Sequence, residues 1–399
     1  MAETRIALDA PRSAAGAGRG VVLAAAAACG AIVANLYYAQ PLVDLIARDL
    51  GVAATLASAV VALTQVGYAI GLLLLAPLVD LVESRRLLTA TLSAAAAALL
   101  AAAAAPNGAV FLAASLLIGI ASVAAQMLLP LIAGMEPEAS RGRVVGTIMS
   151  GLLFGILLAR PVAGVVADAF GWRAMFGLSA VLMAVTALAL RALIPSRRPE
   201  SRMSYGELIG SMAELLARYP TLRRRALYQA AMFAAFSLFW TASPMRLAGE
   251  YGWSHSMIGL FALAGASGAL IAPFAGRMAD AGHTRIGTLI AIACGVAGMI
   301  LAGLDWTLGL AGLLLAAIVL DMGVQANMIL GQREIYGLDA AARGRINGLY
   351  VAILFLGGAL GSALTSPVFA YFGWAGLAVV GAALPLAALA AAAVERPAH

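Results

Sequence analysis

Two ionisable residues lie inside long apolar stretches of the chain. Asp321 lies near the middle of the run 307–332, and Arg160 lies in the second half of the run 143–167. In lipid, a charged side chain at such a depth costs about 2.5–3.5 kcal/mol, so these groups are functional candidates. Burial disfavours the charged carboxylate, which makes proton binding by Asp321 possible near neutral pH. Asp321 is predicted to be a protonation site or a polar substrate contact; a structural hydrogen bond to a neighbouring helix is the alternative.

Arg160 keeps its charge, because arginine does not deprotonate in proteins. It therefore needs an acceptor. The candidates are Asp44 in the preceding part of the chain, carbonyl groups of kinked helices, or an anionic substrate. The sequence slightly favours a structural role over substrate binding.

Neutral polar side chains in other apolar runs predict a central cavity. Gln325 follows Asp321 at helical spacing, which places both on one face of a helix. The full set of cavity candidates is Asn35, Tyr38, Gln65, Tyr68, Gln126, Arg160, Tyr228, Gln229, Trp240 and Gln325. Ordinary hydrogen bonds between helices, each worth about 0.6 kcal/mol on average, explain any single one equally well.

The composition is that of a membrane protein. The chain is 63% hydrophobic and 11% charged, with a mean hydropathy of +0.96, whereas soluble domains carry about 25% charged residues. The net charge is +6 and all 25 basic residues are arginine, but they lie in short loops and form no nucleic-acid-binding face. The two cysteines and three histidines have no disulfide or metal spacing, and no cofactor is expected.

Twelve apolar runs are long enough to span a bilayer, which needs about 20 residues, and each must be helical to satisfy its own backbone. The runs are 20–42, 54–79, 86–105, 109–134, 143–167, 173–194, 224–247, 256–279, 284–304, 307–332, 345–370 and 374–394. With both termini in the cytoplasm, 21 of the 25 arginines fall on the cytoplasmic side. The sequence therefore predicts a multi-pass protein of the bacterial inner membrane.

The polar stretch 195–223 separates two halves of the chain. Its segment 204–218 places Leu208, Met212, Leu215 and Leu216 on one face, which indicates an amphipathic helix on the cytoplasmic surface. This segment is either a linker that lets the halves rock or a plain connector. The predicted organisation is a tail 1–19, a bundle 20–194, a linker 195–223, a bundle 224–394 and a tail 395–399.

The two halves repeat one another. Arg141-Gly142-Arg143 returns about 202 residues later as Arg343-Gly344-Arg345, and Gly171-Trp172 returns as Gly373-Trp374. Gly51 and Gly67 correspond to Gly252 and Gly268 in the same way. Such self-similarity indicates two structurally similar six-helix bundles related by pseudo-symmetry, which is the architecture of many secondary transporters.

The loops after the second and eighth runs carry a further repeated pattern. In the first copy Asp80 precedes Arg85 and Arg86, and in the second copy Gly276 and Asp280 precede Arg285. These loops resemble the signature loop of the major facilitator superfamily, although Ala76, Leu81 and Glu83 replace usual residues in the first copy. The resemblance implies an all-α membrane fold of twelve helices in two bundles. It also implies that these residues latch helix ends in one conformation; fixing the topology is the alternative.

The fifth apolar run is rich in glycine and contains Arg160-Pro161. Its Gly146, Gly151, Gly155 and Gly164 resemble the fifth helix of drug-exporting proton antiporters of that superfamily, and the segment 35–42 resembles a subgroup of bacterial drug and metabolite exporters. The resemblance implies a monomeric, proton-coupled exporter of amphipathic drugs or small metabolites. A proton-coupled importer and a polytopic lipid-handling protein are the alternatives; no enzymatic motif was found.

Overall fold

The computed structural model describes residues 18–196 and 203–395, and these residues are organised entirely by helices. The α-helices are α1 Arg19–Ala34, α2 Val43–Asp49, α3 Ala59–Leu74, α4 Ser84–Ala103, α5 Gly108–Ala121, α6 Ala124–Ala133, α7 Glu138–Phe170, α8 Trp172–Leu193, α9 Tyr205–Arg218, α10 Pro220–Gly249, α11 His255–Phe261, α12 Ser267–Asp280, α13 Thr284–Gly303, α14 Asp305–Ile335 and α15 Arg343–Val394. Short 3-10 helices cover Gln40–Leu42, Ala54–Leu56, Ala76–Asp80 and Ala262–Ala266. The predicted tails 1–17 and 396–399 and residues 197–202 of the linker lie outside the described residues.

Within the described chain, nine helical segments are long and apolar enough to cross a membrane. They are Ala54–Asp80, Ser84–Ala103, Gly108–Ala133, Ser140–Phe170, Trp172–Leu193, His255–Asp280, Thr284–Gly303, Leu308–Ile335 and Arg343–Val394. The last segment has 52 residues and breaks at Gly373, so it contains two of the predicted runs. The count of twelve spans stays a prediction, because α1 is short and α10 begins with a polar, arginine-rich turn.

The internal repeat is visible in the backbone. Gly51 and its counterpart Gly252 have φ of 65° and 64°, and Gly171 and Gly373 have φ of 82° and 62°. Only glycine adopts this region without strain, so the repeat preserves two sharp turns that redirect the chain between helices. The tryptophans that follow Gly171 and Gly373 are both buried.

The same helix pair is packed in the same way in each half. A Cβ on Gly155 of α7 would lie 2.2 Å from the carbonyl oxygen of Gly30 in α1. About 202 residues later, a Cβ on Gly357 of α15 would lie 2.3 Å from the carbonyl oxygen of Ala230 in α10. Backbones can approach this closely only through small residues. The helices therefore form two similar bundles, α1–α8 and α10–α15, which confirms the predicted fold.

Helix α9 packs across the ends of both bundles. The Tyr205 hydroxyl donates to the Leu74 carbonyl oxygen at 2.9 Å, and Arg345 donates to the Ser211 hydroxyl at 2.6 Å. Its apolar face buries Leu208, Met212 and Leu215. The end that α9 covers carries both Arg-Gly-Arg segments and is called the Arg-Gly-Arg end below. The end that carries Gly171 and Gly373 is called the opposite end.

Candidate substrate and proton site

A chain of polar contacts crosses the interface between the two bundles. In the first bundle, Arg160 Nε donates to Gln40 Oε1 at 2.7 Å. Its guanidinium carbon lies 4.9 Å from the ring centres of both Tyr37 and Trp240. In the second bundle, Trp240 Nε1 donates to Asp321 Oδ1 at 2.9 Å. Both charged residues are buried, with 5% of Arg160 and 7% of Asp321 exposed. We call these five residues the central cluster.

The indole of Trp240 contacts both opposite charges, and no direct salt bridge joins Arg160 to Asp321. Its ring faces the guanidinium while its N–H is bonded to the carboxylate. A desolvated cation on an aromatic face gains about 2 kcal/mol, and a hydrogen bond to a charged group gains about 1.5–3 kcal/mol. Both charges are therefore stabilised in the apolar interior, yet neither is neutralised by a salt bridge between them.

Of the three candidate acceptors for Arg160, the structure excludes Asp44. Its carboxylate pairs instead with Arg48, one helical turn further along α2, at 2.6 Å. Gln40 takes the place that Asp44 was expected to fill, because the 3-10 helix Gln40–Leu42 turns the Gln40 side chain into the interior. Sequence reasoning missed Gln40 as a site residue, although a buried amide directly before a proline inside an apolar run was a usable signal.

Two buried donors of the central cluster lack an acceptor. Among the described residues, neither Arg160 Nη2 nor Gln40 Nε2 has a hydrogen-bond partner. A buried donor left in this state costs about 1–3 kcal/mol, and more when it is charged. This arrangement indicates a site whose remaining acceptor comes from another molecule.

Gly265 makes room for the carboxylate of Asp321. A Cβ at this position would lie 2.5 Å from Asp321 Oδ2, well inside van der Waals contact. The glycine belongs to the 3-10 helix Ala262–Ala266, which interrupts the helical segment between α11 and α12. Nothing in the sequence pattern singled out this residue.

Three predicted cavity residues lie where the bundles meet, on the α3 side. Gln65 Nε2 donates to the Ser237 hydroxyl at 3.0 Å, and Gln65 Oε1 accepts from the Ser362 hydroxyl at 3.1 Å. The Tyr68 ring lies 4.5 Å from that of Phe355. Gln126 hydrogen-bonds to the Tyr68 hydroxyl. Gln65 therefore ties α3 to α10 and α15 and is engaged within the protein.

Other predicted cavity residues are used inside one bundle. Asn35 Oδ1 accepts from the Ser179 hydroxyl at 2.5 Å, and Tyr38 interacts with the same serine. These contacts face α8, so they correct the expectation that both residues line the cavity. The reason is that α1 ends at Ala34 and residues 35–39 form a turn, which changes the direction of the side chains.

The candidates on α10 and α14 also fall into two groups: residues bonded within the second bundle and residues that contact the central cluster. The Tyr228 hydroxyl donates to Glu395 at 3.2 Å near the Arg-Gly-Arg end, away from the central cluster, which corrects its assignment. Gln229 is fully buried between α10 and α14, where it accepts from Asn327 at 2.6 Å. Gln325 is half-buried and lies beside Gly268 of α12. Of this group only Trp240 joins Asp321 directly.

The opposite end is held closed by contacts between the bundles. Asp168 at the end of α7 accepts from the backbone N–H groups of His255 and Ser256 at 3.2 and 2.8 Å. It also contacts the His255 Nδ1 atom at 2.9 Å and the Ser256 hydroxyl at 2.5 Å. Ser58 and Ser366 exchange two backbone-to-hydroxyl bonds at 3.0 and 3.1 Å. We call the contacts of Asp168 the opposite-end latch.

The predicted gating residues lie at the Arg-Gly-Arg end and are mostly exposed. Arg345 at the start of α15 is the cation that acts on Asp80 across the bundles. Arg85 donates to the Ile194 carbonyl oxygen at 2.9 Å, and Arg285 donates to that of Ala393 at 3.2 Å. Arg86 is exposed, Gly276 has open space around it, and Asp280 pairs with Arg333 at 3.0 Å. Each loop copy therefore anchors helix ends of its own bundle, and Asp80 faces the other bundle.

Known proteins match this chain over most of its length. The model of the Major Facilitator Superfamily matches residues 22–333. A relative from Escherichia coli O157:H7, named as the uncharacterized transporter YgaY, is 40% identical over 366 residues, which cover 90% of this chain and 91% of the relative. A Streptomyces coelicolor protein, named as the probable transporter SCO4007, is 36% identical over 378 residues and covers 93% and 87%.

Solved structures share the fold at low sequence identity. A point mutant of the nucleoside transporter NupG superposes with a TM-score of 0.74 at 14% identity and covers 93% of this chain and 99% of its own. A bacterial homologue of the human lysosomal transporter Spinster, in an inward-facing and occupied conformation, gives a TM-score of 0.71 at 14% identity, with 94% and 95% covered. At this identity the likeness concerns the fold alone.

Proposed function

Because this chain belongs to the Major Facilitator Superfamily, we propose that it is a proton-coupled secondary transporter that exports amphipathic drugs or small metabolites by alternating access. The family and the named relatives make it a membrane transporter of a small molecule rather than an enzyme. Asp321 is the proposed proton-binding residue, and a monomer with no cofactor is the proposed working unit.

The contact between Trp240 and Asp321 beside Arg160 carries this proposal. Arg160 belongs to the first bundle, whereas Trp240 and Asp321 belong to the second. Protonation of Asp321 removes one of the two opposite charges that face each other across the interface. It therefore changes the energy with which the bundles hold together at this depth, which is what coupling a proton to alternating access requires.

The contacts between the bundles at the opposite end support a state that is closed on that side. We assign the Arg-Gly-Arg end to the cytoplasm, with both termini on that side and the protein in a bacterial inner membrane, because 21 of the 25 arginines fall in the segments predicted from the sequence to face that side. The opposite-end latch and the Ser58–Ser366 bonds then close the outer end. In this arrangement Gln65, Tyr68, Gln126 and Gln325 flank the pathway below the central cluster, and Asp80 with Arg345 contributes to the cytoplasmic gate.

A second candidate function is proton-coupled uptake of an organic solute. The observation that favours it is the buried cation Arg160, since a proton on Asp321 leaves this charge uncompensated and ready for an anionic partner. Proton and solute then load together, as a symporter requires. Export and uptake differ in the direction of transport and share the same proton site.

The test replaces Asp321 by Asn in the full chain and measures transport in membrane vesicles with an imposed pH gradient. We expect Asp321→Asn to lose gradient-driven accumulation of a substrate while it keeps exchange of labelled for unlabelled substrate. Asp44→Asn is the matched control, because Asp44 is an exposed acid paired only with Arg48. Gradient-driven accumulation by Asp321→Asn at the wild-type level would remove Asp321 from the coupling step.

The same vesicles decide the direction. Inverted vesicles with an acidic interior accumulate the substrate if the protein exports it in exchange for protons. Right-side-out vesicles with an acidic exterior accumulate it if the protein imports it together with protons. A substrate that crosses in both preparations without a gradient effect would refute proton coupling altogether.

A further inference from the structure

The central cluster has more hydrogen-bond donors than acceptors. Arg160 offers its guanidinium N–H groups and Gln40 offers its amide N–H groups, but only Gln40 Oε1 accepts from Arg160. In the part of the chain that the structure describes, Arg160 Nη2 and Gln40 Nε2 remain without acceptors, although both residues are at least 95% buried. The two free donors belong to residues that are hydrogen-bonded to each other, so they flank one small region.

The protein itself does not supply the missing acceptor. Asp321 Oδ1 is engaged by Trp240 Nε1 at the edge of the indole, whereas the guanidinium lies over the ring face and forms no salt bridge with this carboxylate. The aromatic faces of Tyr37 and Trp240 cover Arg160 and offer no lone pair to its edge. Among the described residues no acceptor reaches both Arg160 Nη2 and Gln40 Nε2, so these donors are available to an oxygen of a bound molecule.

We infer that the substrate class is a small organic anion whose carboxylate binds Arg160 and Gln40, with its apolar part against the aromatic wall around Trp240. A carboxylate has two oxygens, and arginine donors arranged side by side match that geometry better than any single-point cation. The Trp240 ring lies 5.7 Å from that of Phe261 and 6.3 Å from that of Phe236, which provides an apolar surface next to the donors. This inference rests on the proposed transport through the central cluster.

Charge balance links the anion to the proton. The ionisable side chains that face this region from the packed helices are Arg160, Asp321 and Tyr37, as far as the described residues go. When Asp321 is ionised, its charge offsets Arg160 and opposes an anion; when Asp321 is protonated, the cluster carries one positive charge. Anion binding and protonation therefore favour each other, and this linkage is reciprocal. Loading of the acid together with a proton is what the uptake candidate requires, so the anion inference favours uptake of an acid with a proton over its export in exchange for protons.

The experiment compares three ligands of one shape and different charge. Phenylacetate, phenylacetamide and phenethylamine are titrated by calorimetry into the purified full chain in lipid nanodiscs at several pH values. We expect phenylacetate to bind at least tenfold more tightly than the amide, more tightly as pH falls, and phenethylamine to bind weakest. Asp321→Asn, which mimics the protonated acid, should bind phenylacetate tightly at every pH.

Two variants keep the test decisive. Arg160→Gln should abolish the tighter binding of phenylacetate relative to phenylacetamide. Gln40→Leu keeps the cation and should reduce this difference in affinity, so it provides the test if Arg160→Gln does not fold. Equal binding of acid and amide, or tighter binding of the amine, would overturn the anion assignment even where Asp321→Asn abolishes gradient-driven transport. Wild-type gradient-driven transport by Asp321→Asn would instead refute the proposed function, whichever ligand binds.

Discussion

Removing the carboxylate of Asp168 is expected to open the opposite end of the protein. Asp168 is the side chain that bridges the end of α7 to the start of α11, through two backbone N–H groups and the side chains of His255 and Ser256. In Asp168→Ala all of these contacts are lost at once. The Ser58–Ser366 bonds remain, so the change weakens the closed end without dismantling it.

The magnitude follows from the contacts. A hydrogen bond to a charged acceptor contributes about 1.5–3 kcal/mol when buried, but the Asp168 side chain is 29% exposed and water replaces part of what is lost. Discounting for that exposure leaves about 1–2 kcal/mol for the latch as a whole. Since 1.4 kcal/mol is a factor of ten in an equilibrium constant, the ratio of molecules open at the opposite end to molecules closed there should rise about 5–30-fold.

The assay is the distance between two spin labels at the opposite end. Labels at Ala53 and Tyr251, both exposed and one in each bundle, are attached after Cys29 and Cys294 have been replaced. A longer-distance population should grow in Asp168→Ala, measured by pulsed electron paramagnetic resonance in nanodiscs.

Asp339→Ala is the matched control. Asp339 also accepts from two backbone N–H groups, those of Ala341 and Ala342, but these lie in its own loop at the Arg-Gly-Arg end. An unchanged distance distribution in Asp168→Ala, or the same change in both variants, would refute the idea that this carboxylate holds the bundles together.

Two further outcomes can be measured on the same protein. Gly155→Ala should lower the free energy of unfolding by about 1–3 kcal/mol, because its Cβ would lie 2.2 Å from the Gly30 carbonyl oxygen. Gly177→Ala is the control: its Cβ would meet no atom within 4 Å, so the free energy of unfolding should stay unchanged or rise slightly. A larger loss of stability in Gly177→Ala than in Gly155→Ala would contradict the packing of α1 against α7. The backbone N–H and the hydroxyl of Ser204 hold the pKa of Glu207 below its usual value, so this cap stabilises α9 above the unfolded pKa of about 4.3 and is lost as pH falls through the lower folded value. The protection of α9 amides against hydrogen exchange, corrected for the intrinsic exchange rate at each pH, should therefore fall on acidification in the wild type. An equal fall in a Glu207→Gln variant, which has no carboxylate to protonate, would exclude the cap as the cause.

The order of helices and the repeated turns between them could be predicted from the sequence, whereas the hydrogen-bond partners of most side chains could not. Gly171-Trp172 and Gly373-Trp374 predicted equivalent turns, because a glycine at a positive φ leaves a residue signature that duplication preserves. The hydrogen-bond partner of Arg160 depends on how the chain turns between α1 and α2. A five-residue turn there places the side chain of Gln40, and not that of Asp44, beside Arg160. Hydropathy fixes the depth of a residue in the bilayer and leaves the rotation of its helix open.

The acids that close the ends illustrate the same limit. The resemblance implied that Asp80 and its loop latch helix ends, and the structure shows a carboxylate that holds the start of a facing helix at Asp168, at the other end of the molecule. Asp80 is exposed and faces Arg345 only through its charge. If the protein alternates between two states as proposed, its sequence must encode the contacts of both states, and Asp80 belongs to contacts that differ from those seen in this structure.

In the proposed mechanism, the central cluster works as a switch because Arg160 and Asp321 form no direct salt bridge. A direct salt bridge between Arg160 and Asp321 would keep the acid ionised and occupy the cation, because breaking a buried pair leaves an uncompensated charge. With the indole in contact with both residues, Asp321 can take a proton while Arg160 retains its two aromatic contacts and its bond to Gln40. In the proposed mechanism each change of charge acts on the interface between the bundles, because the partners belong to different bundles. A Trp240→Phe variant, which keeps the aromatic face and removes the N–H, would separate these two contributions: retained binding of phenylacetate with a pH dependence displaced to higher pH is the result that this arrangement requires.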